Sequence, residues 1–329
     1  MQKFQKRVFF VVLIALALVG CGWQAAQAAP AYPGSRAIEV TVPWSAGGST
    51  DMVCRVAANL LSAKIGVPVN VVNEPGGQGI PGTVSALLSA PDGYSLLGDA
   101  DGSNAIPEAW GEDVPFKAAE RTYICRIASF PWVFAVASDT GWKSMDDIAE
   151  AIKNNPTAVK FGWLGGTAGA DCAPAQFIAA LRAKGIDTSK VNMVTFAGGA
   201  DLAVAIAGGH VDFGCASTTS VASTYEAGKL GVVGITSAER FPAYPNVPTT
   251  KEQGWDTVNF MGHVGFAGAT GIPDEVVKIL ADAMGEVMST DEAAQKFSEI
   301  SAIADFLGPQ DFRDYVLNLA EQLVAIKIN

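Results

Sequence analysis

The sequence predicts an α/β protein with largely parallel sheets. Short segments rich in β-branched and aromatic residues alternate with amphipathic segments along most of the chain, and glycine-rich turns lie at many of the junctions. Consecutive strands that are joined by helices run parallel, because each helix crosses the sheet to reach the start of the next strand. Two such runs and a helical C-terminal tail favour two lobes.

The first strand, turn and helix illustrate the pattern. Residues 38–43 predict a strand and residues 51–65 predict a helix, with a glycine-rich turn between them. Ser49 and Thr50 are candidate N-caps, since their side-chain oxygens can accept hydrogen bonds from the first helical N–H groups. Gly66 follows the last apolar position and is a typical helix terminator.

The same alternation predicts the later elements. Further strands are predicted at residues 67–73, 94–97, 133–137, 159–163, 191–196, 211–215 and 232–236. Further helices are predicted at residues 83–89, 171–185, 202–207 and in a short segment that ends at 227. Two helices finish the chain: one begins at Pro273, a favourable first residue, and the other carries an apolar stripe from Phe312 to Leu323.

The composition excludes several classes of protein. The 329 residues suffice for about two domains, and 49% hydrophobic with 17% charged residues excludes a disordered chain. The net charge is −11 and no Lys/Arg-rich segment occurs, so the basic surface that nucleic acid requires is missing. His210 and His263 are the only histidines, which argues against an imidazole-rich metal site or a Ser-His-Asp triad. We expect no nucleic-acid partner, no metal and no catalytic residues.

The N-terminal residues predict an export signal. Basic residues precede an apolar stretch at 8–19 that is too short for a permanent transmembrane helix. Residues 18–21 resemble a lipobox, which makes residues 1–20 a lipoprotein-type signal peptide and Cys21 the lipidation candidate. The alternative is ordinary cleavage after Ala28, at an A-x-A site. We expect any contact with a membrane to be made only through an N-terminal lipid.

One segment matches a cofactor motif. Residues 77–82 satisfy the dinucleotide-binding pattern G-x-G-x-x-G, and Asp99 or Asp101 lies about 20 residues further on. Against this interpretation, Pro81 stands where the helix should present free N–H groups, and residues 73–76 separate the strand from the motif. An exported protein also has little access to NAD. We therefore expect no cofactor.

Four glycine-rich turns together indicate an anion site. They lie at residues 47–50, 76–79, 165–167 and 198–199, each between a predicted strand and a predicted helix. Such turns emerge at the carboxyl ends of parallel strands, where helix N-termini present unpaired N–H groups and partial positive charge. A small anion can be held there without Arg or Lys. The G-x-S-x-G pattern of a serine nucleophile is absent, so a binding protein is favoured over an enzyme.

Six segments carry a resemblance to a known family. They are VPWSAGGSTDMVCR at 42–55, VNVVNEPGGQG at 69–79, PDGYSLL at 91–97, AGGHVD at 207–212, AGKLGVVGITSAER at 227–240 and PNVPT at 245–249. In this order they make the chain, from about residue 32 to its C-terminus, similar to the solute-binding proteins of tripartite tricarboxylate transporters. These are the Bug-type family of bacterial periplasmic binding proteins.

The resemblance implies a two-lobed, type II periplasmic-binding-protein fold, mainly parallel sheets with helices on both faces. Residues 36–132 and 256–329 are expected to form one lobe and residues 133–255 the other, with hinges near Phe134 and Gly254. The implied function is that of a monomeric periplasmic protein that captures a small mono- or dicarboxylate between the lobes and delivers it to membrane permease subunits. An exported enzyme acting on a carboxylate, and a ligand-binding sensor, are the alternatives.

The resemblance also implies a set of ligand-binding residues. One lobe contributes Trp44, Ser45, Gly48, Ser49, Thr50 and Asp51 from the first turn and Gly77, Gln78 and Gly79 from the second. The opposite lobe contributes Gly166, Thr167, Ala168, Asp171, Gly198, Gly199 and Ser217. The segment 101–104, with Ser103 and Asn104, is expected to lie between them, and His263 completes the set.

Three positions differ from the usual family pattern. Asp171 stands where members commonly have a polar imidazole, and His263 stands where an aromatic residue is common. Members also often carry an aspartate after the strand that ends near Cys215, where this chain has Ser217. That aspartate is a natural partner for a ligand ammonium group, so its absence argues against an amino-acid ligand unless Asp171 takes over the role.

The cysteines beyond Cys21 are candidates for disulfides, because export exposes them to an oxidising compartment. Within-lobe pairs Cys172–Cys215 and Cys54–Cys125 are predicted, since each pair is expected at neighbouring elements of one lobe. The alternative is four buried free thiols that pack as small apolar side chains.

Overall fold

Strands and helices alternate as predicted from the first strand onward. The computed structural model describes residues 32–111, 114–166 and 168–326, and those from Ser35 onward form one compact unit. The strands are β1 (Ile38–Val42), β2 (Val69–Asn73), β3 (Ser95–Ala100), β4 (Thr122–Ala137), β5 (Lys160–Trp163), β6 (Asn192–Thr195), β7 (Phe213–Ser217), β8 (Leu230–Ile235), β9 (Met261–Gly268) and β10 (Ile303–Leu307). The helices are α1 (Ser49–Ile65), α2 (Ile80–Leu87), α3 (Ala105–Trp110), α4 (Met145–Asn154), α5 (Gly169–Ala183), α6 (Gly199–Ala207), α7 (Thr218–Glu226), α8 (Asp274–Met288), α9 (Asp291–Glu299) and α10 (Pro309–Leu323). None of the helices described here is long and apolar enough to cross a membrane.

The first lobe is built on a mixed sheet. Strand β1 lies between β2 and β3 and pairs with both in parallel. Strand β9 then pairs antiparallel with β3 on one side and with β4 on the other, and β10 pairs antiparallel with β4. The parallel strands therefore occupy one side of this sheet, and their carboxyl ends lead into the glycine-rich turns.

The second lobe repeats this arrangement. Strand β5 lies between β6 and β7 and pairs with both in parallel, while β7 and β8 pair antiparallel with β4. The 16-residue strand β4 belongs to both lobes, because its residues 122–131 pair with β9 and its residues 132–137 pair with β7 and β8. The change of partner falls between Pro131 and Trp132. It supports the predicted lobe limits of 36–132, 133–255 and 256–329, which stay a prediction.

The α/β class is confirmed, and the antiparallel pairs are an addition that the sequence pattern did not indicate. Strand β9 shows why it was missed: three of its eight residues are glycines, which disfavour strands. A methyl group on Gly265 would lie 2.3 Å from the carbonyl oxygen of Cys125 and 2.5 Å from the Phe312 ring. Close packing against Phe312 and the neighbouring strand thus requires glycine at this position of a central strand. The sequence analysis also did not predict strand β10, helices α3, α4 and α9, or the first half of β4.

The predicted disulfides are corrected by the structure. Cys54, Cys125, Cys172 and Cys215 are all buried free thiols, as the alternative interpretation held. Burial raises the pKa of Cys125 to about 12 and the pKa values of the other three thiols well above their ordinary value, so all four are protonated and unreactive. They pack as core side chains: Cys54 Sγ would lie 2.7 Å from a methyl group on Gly98 of β3. The predicted signal peptide, Cys21 and the cleavage site after Ala28 lie outside the described residues.

Candidate functional site

A pocket with about 450 Å³ of empty space, open solvent included, lies where the turns of the two lobes meet. The first lobe contributes Trp44, Gly48, Ser49, Thr50, Ala100, Asp101, Gly102 and Phe130. The second lobe contributes Trp132, Leu164, Ala168, Gly169, Gly199 and Ser220. Among these lining residues, Asp101 is the only one with an ionisable side chain, and none is Lys or Arg.

The turn between β1 and α1 presents backbone N–H groups to the pocket. Gly48 is the N-cap, with an extended backbone, and no side chain caps the helix. This corrects the expectation that Ser49 or Thr50 is the cap, since both lie in the first helical turn and line the pocket. The first N–H groups of a helix have no acceptor within the helix. They are available to an anion.

Asp51 holds this turn in shape from outside the pocket. Its side chain is 4% exposed, and its carboxylate accepts hydrogen bonds from Gly47 N (2.9 Å), Arg55 Nε (3.1 Å) and Asn73 Nδ2 (2.9 Å). Burial alone would raise the pKa of Asp51, but these hydrogen bonds and the Arg55 charge hold that pKa below its ordinary value. Asp51 is thus a positioning residue whose charge is matched by Arg55.

The turn between β5 and α5 belongs to the second lobe. Ala168 is the N-cap of α5 and lines the pocket. Asp171 is fully buried, and its carboxylate accepts hydrogen bonds from the backbone N atoms of Leu164 (2.9 Å), Gly166 (2.9 Å) and Ala168 (3.4 Å). Burial raises the pKa of Asp171 to about 6, although these hydrogen bonds lower it. Asp171 therefore shapes its own turn and does not line the pocket.

A third helix begins at the pocket. Gly198 is the N-cap of α6, without a side-chain cap, and Gly199 lines the pocket beside Ser220 of α7. A methyl group on Gly199 would lie 2.9 Å from Ser220 Oγ, so the two backbones approach closely. Ser217, whose predicted contact with ligand stays a prediction, is the N-cap of α7: its Oγ accepts a hydrogen bond from Ser220 N at 3.0 Å.

Two pairs of turns touch across the lobes. Ser45 Oγ of the first lobe donates a hydrogen bond to Asp201 Oδ2 of α6 at 3.0 Å. A methyl group on Gly198 would lie 3.1 Å from Ser45 Oγ, and one on Gly165 would lie 2.6 Å from Gln78 Nε2. The structure is therefore a closed arrangement. Ser45, Gln78 and Gly198, predicted to bind ligand, are lobe-to-lobe contacts.

Three aromatic side chains enclose the pocket. Phe130 and Trp132 of β4 pack edge to face with ring centroids 5.4 Å apart. Trp132 Nε1 is buried and has no hydrogen-bond partner among the described residues. Trp44 is supported from outside, because a methyl group on Gly79 would lie 2.9 Å from its ring. The segment Gly77–Gly79 thus packs on Trp44 and does not itself line the pocket.

A buried polar network lies beneath the pocket. Asp99 forms a salt bridge with Arg121 (Oδ1 to Nη1, 3.0 Å), and both side chains are fully buried. Asp99 Oδ1 also accepts hydrogen bonds from Ser103 Oγ and Asn104 Nδ2, each at 3.2 Å. Ser103 and Asn104, whose predicted contact with ligand stays a prediction, are both fully buried.

His263 joins this network to the pocket. Its Nε2 lies 3.1 Å from Asn104 Nδ2, and its Nδ1 lies 2.5 Å from Asp101 Oδ1. The backbone N of His263 donates a hydrogen bond to Asp101 Oδ2 at 3.2 Å. His263 is fully buried against Tyr315 and does not line the pocket.

Of the 19 predicted ligand-binding residues, six line the pocket and twelve of the described ones lie outside its lining. The predicted residues that line the pocket are Trp44, Gly48, Ser49, Thr50, Ala168 and Gly199. Those that lie outside the lining are Ser45, Asp51, Gly77, Gln78, Gly79, Ser103, Asn104, Gly166, Asp171, Gly198, Ser217 and His263. Thr167 lies outside the described residues. No group of His, Cys, Asp or Glu in the described ranges could hold a metal ion.

Asp101, Gly102 and Gly169 line the pocket and belong to the segments 101–104 and 165–171, which were expected at the site. Five lining residues were missed by sequence reasoning: Ala100, Phe130, Trp132, Leu164 and Ser220. Ala100 and Leu164 stand at the carboxyl ends of β3 and β5, so the rule that ligands bind at such ends could have found them. Phe130 and Trp132 lie inside β4, and no local signal marks them.

A family model for the tripartite tricarboxylate transporter family receptor matches residues 53–317. Protein BugT of Bordetella pertussis is 26% identical over 313 residues, which cover 93% of this chain and 92% of BugT. Two solved structures from Rhodopseudomonas palustris share the fold. MatC with bound malate has a TM-score of 0.82 at 20% identity and covers 88% of this chain and 98% of its own. Rpa4515 with adipate has a TM-score of 0.84 at 22% identity and covers 90% and 97%.

The two comparisons of structure confirm the fold predicted from the sequence, in which two α/β lobes enclose a pocket. The family model covers most of the described chain, including the turns before α5 and α6, while the turn before α1 precedes the matched range. The chain belongs to the tripartite tricarboxylate transporter receptor family.

Proposed function

We propose that this protein captures a small carboxylate between its lobes in the periplasm and delivers it to the permease subunits of a tripartite tricarboxylate transporter. One observation carries the proposal. The N-termini of α1 and α6, which belong to different lobes, open onto one pocket whose lining contains no Lys or Arg. The related structures of MatC with malate and Rpa4515 with adipate, both carboxylates, support it.

The physical basis is recognition of the anion by neutral donors. The N–H groups of Ser49 and Thr50 and that of Gly199 lie at positions where a helix offers no internal acceptor. Each helix N-terminus also carries a partial positive charge of about half a unit. A carboxylate between them accepts charge-assisted hydrogen bonds from both lobes. The carboxylate thereby favours the closed arrangement, since the open one lacks half of the contacts.

Opening requires movement where the chain crosses between the lobes. One crossing lies in β4 between Pro131 and Trp132, and the other lies between β8 and β9. Thr236 joins them: its Oγ1 accepts a hydrogen bond from Trp132 N at 2.9 Å and donates one to Phe260 O at 2.7 Å. We place the hinge around Thr236, in the region of the predicted hinges near Phe134 and Gly254.

The remaining parts of the proposal concern export, the oligomeric state and the choice between binding and catalysis. Residues 1–20 act as a signal peptide with lipidation of Cys21, or cleavage follows Ala28, and the mature protein is a monomer. The function is binding and not catalysis. In support, Ser49 and Ser220 are the serines that line the pocket, and His263 directs its Nδ1 at Asp101.

The experiment is to identify the ligand and to follow its fate. Small molecules released from the denatured protein are identified by mass spectrometry, and mono- and dicarboxylates are then screened for a shift in melting temperature. We expect a small carboxylate that stabilises the protein and is recovered unchanged. Conversion of the bound acid would establish the enzyme alternative.

Delivery needs a separate measurement. Uptake of the labelled acid is compared between cells with the chain, cells without it and cells without the permease subunits. Loss of uptake in both deletions supports the proposal. Uptake that is independent of the chain, together with a ligand-dependent transcriptional response, would favour the sensor.

A further inference from the structure

Asp171 is a buried acid to which the described residues supply no cation. The residue is 0% exposed, and its carboxylate accepts hydrogen bonds from the backbone N–H groups of Leu164, Gly166 and Ala168. No Lys or Arg of the described chain lowers its pKa by charge. Arg182, the basic residue of α5 nearest to its end, lies in the last turn of the helix, away from Asp171.

Two other buried acids near the pocket are matched by cations. Asp51 forms a salt bridge with Arg55 at 2.8 Å, and Asp99 forms one with Arg121 at 3.0 Å. A cation beside a carboxylate offsets much of the repulsion from a further anion. The charges of these two acids are therefore balanced within the protein, whereas that of Asp171 is not balanced by the described residues.

Asp171 lies directly behind the pocket lining. Leu164 and Ala168, which donate two of its three hydrogen bonds, are both lining residues, and so is Gly169 at the start of the same helix. A pocket of this size is about 10 Å across, so a carboxylate at the starts of α1 and α6 lies within about 10–12 Å of Asp171. At that range two like charges in a protein interior disfavour each other about tenfold. The repulsion acts through space and requires no contact between Asp171 and the ligand.

The other groups that face Asp171 do not offset its charge. Cys172 follows it in α5, and Cys215 lies on β7, the strand that packs against α5. Burial raises the pKa values of both thiols well above their ordinary value, so both are uncharged. Asp101 approaches the same helix start, since a methyl group on Gly169 would lie 2.7 Å from its Oδ2. Asp101 is itself an acid and brings no positive charge.

His263, which lies beside Asp101, is held in its neutral form. Asn104 Oδ1 accepts a hydrogen bond from Ala105 N, and Asn104 Nδ2 donates one to Asp99 Oδ1, so the orientation of the amide is fixed. Nδ2 therefore faces His263 Nε2 at 3.1 Å, and Nε2 must accept. A second proton on the ring would set two donors against each other. The ring thus provides no cation for the pocket.

Resting on the proposed function, we propose that binding of a carboxylate in this pocket is coupled to the uptake of a proton by Asp171. The ligand adds a negative charge in front of the α5 turn, and a proton on Asp171 removes the negative charge behind it. The affinity for the carboxylate is then highest when Asp171 is protonated and falls as the pH rises. Capture of the acid thereby depends on the pH of the periplasm.

The buried position of Asp171 sets the pH range of this coupling. Burial raises the pKa of Asp171 to about 6 in the free protein, and the charge of the ligand raises it further. The proton is therefore gained between about pH 6 and pH 7, where small carboxylic acids, with ordinary pKa values of about 4 to 5, are themselves ionised.

The experiment counts protons. Malate, adipate and butanoate are titrated into the wild-type protein by calorimetry between pH 6 and pH 9, in buffers that differ in ionisation enthalpy, with correction for the ionisation of the acid itself. We expect an uptake of about half a proton near pH 6.5 and an affinity that falls about fivefold from pH 6 to pH 9. Binding without proton uptake at any of these pH values would overturn the inference and leave the proposed function intact. Absence of binding by all three acids would overturn both.

Asp171→Asn, which removes the charge and nearly keeps the shape, assigns the proton. We expect this variant to take up no proton, to bind with an affinity that does not depend on pH, and to bind about tenfold more tightly than the wild type at pH 9. Damage to the turn alone would instead weaken binding at every pH. Proton uptake that persists in Asp171→Asn would assign the proton to Asp101 or to the ligand and would contradict the inference. The wild-type measurement stands if the variant fails to fold.

Asp147→Asn is the matched control. Asp147 is likewise the third residue of its helix, α4, and accepts hydrogen bonds from the backbone N atoms of Lys143 (2.7 Å) and Ser144 (2.9 Å). It is partly exposed and does not line the pocket, and its pKa is lowered. We expect its replacement to change neither the proton uptake nor the affinity.

Discussion

The turns before α1 and α5 are built in the same way, but the pKa of the central aspartate is lowered in the first and raised in the second. In each, an aspartate at the third helical residue accepts hydrogen bonds from backbone N–H groups of its own turn. Asp51 also has Arg55 and Asn73 as partners, and its pKa is lowered. Among the described residues the donors to Asp171 are three backbone N–H groups, and burial raises its pKa to about 6.

The difference comes from residues outside the turns. One helical turn after Asp51 the chain has Arg55, whereas one turn after Asp171 it has Ala175. Side chains four residues apart lie on one helix face, so a single substitution decides whether the buried acid is matched by a cation. The α1 turn can therefore accept an external carboxylate beside a compensated aspartate. The α5 turn holds a buried aspartate to which the described residues donate only backbone N–H groups.

The largest expected effect is on stability. Asp171→Ala should lower the free energy of unfolding by about 3–5 kcal/mol, because two buried N–H groups and one part-buried N–H group lose their acceptor. Asp51→Ala should lower it by only about 1–2 kcal/mol, since Arg55 is half exposed and can turn to water. Chemical denaturation of both variants measures the difference. Equal losses would show that the two aspartates hold their turns equally.

The next largest effect is on the pH dependence of stability, whose sign is opposite for Asp171 and Asp51. The pKa of Asp171 rises from 3.8 to about 6 on folding, so its contribution to stability is fully present below pH 3.8 and is lost as the pH rises through 6. The shift of about two units corresponds to about 3 kcal/mol. The pKa of Asp51 is lowered, so its contribution is present above pH 3.8 and is lost as the pH falls through the lower folded pKa.

Free energies of unfolding of the wild type, Asp171→Asn and Asp51→Asn between pH 4 and pH 7 check these signs. We expect the advantage of the wild type over Asp171→Asn to shrink across this range. The difference in free energy of unfolding between the wild type and Asp51→Asn should stay constant between pH 4 and pH 7. A pH-independent difference for Asp171→Asn would mean that this carboxyl group titrates normally.

The local sequence predicted the turns well, but it did not predict which residues from other strands contact them. The α1 turn, its helix and Gly66 as the helix end follow from glycine and apolar spacing, and Gly66 is the C-cap with φ of 76°. Sequence could not show that Asn73, on the next strand, reaches Asp51, or that Asp99 takes the charge of Arg121. Those contacts depend on how strands pair, which no local pattern contains.

The pocket shows the same limit. Gly48, Ser49 and Gly199 were predicted because a strand–turn–helix junction is recognisable in one stretch of sequence. Trp132 and Phe130 were not, because β4 contributes them from its middle, where it changes partner between the lobes. The glycine-rich strand β9, which places His263 beside Asp101, lacks the β-branched residues by which strands are predicted.

A side chain at Gly48 tests the α1 turn as the carboxylate site. Gly48→Val should weaken binding of the tightest acid by about tenfold or more, because the new side chain stands at the pocket lining beside the N–H groups. Gly308→Val is the matched control: Gly308 is the extended, uncapped N-cap of α10, with nothing within 4 Å of an added methyl group. Calorimetry is compared with the melting temperature of the free proteins. Normal binding by Gly48→Val would place the carboxylate elsewhere.

A smaller effect is expected at the contact between the first and third turns. Ser45→Ala removes the hydrogen bond to Asp201, which joins the lobes at an exposed position. One such bond contributes about 0.5–1.5 kcal/mol to the closed arrangement, so affinity should fall by about two- to tenfold with little change in melting temperature. Ser85→Ala, which removes an exposed bond to Glu74 within one lobe, should change neither. Equal affinities for Ser45→Ala and the wild type would show that this contact does not favour closure.

Salt should have the smallest effect, and its sign distinguishes neutral donors from cations. A site built from Lys or Arg loses affinity for anions steeply between about 20 mM and about 200 mM salt, because the charges are screened. The pocket lining contains neither residue, and the net charge of −11 repels anions at long range. We therefore expect the affinity for a simple monocarboxylate to change less than about twofold over this range, in the direction of tighter binding, because salt screens the repulsion. A ligand that is neutral overall should show no change. Calorimetric titrations of both kinds of acid at several salt concentrations measure how affinity changes with salt. A steep loss of affinity for either acid would require a cation at the site. It would also contradict the contrast drawn between the α1 and α5 turns.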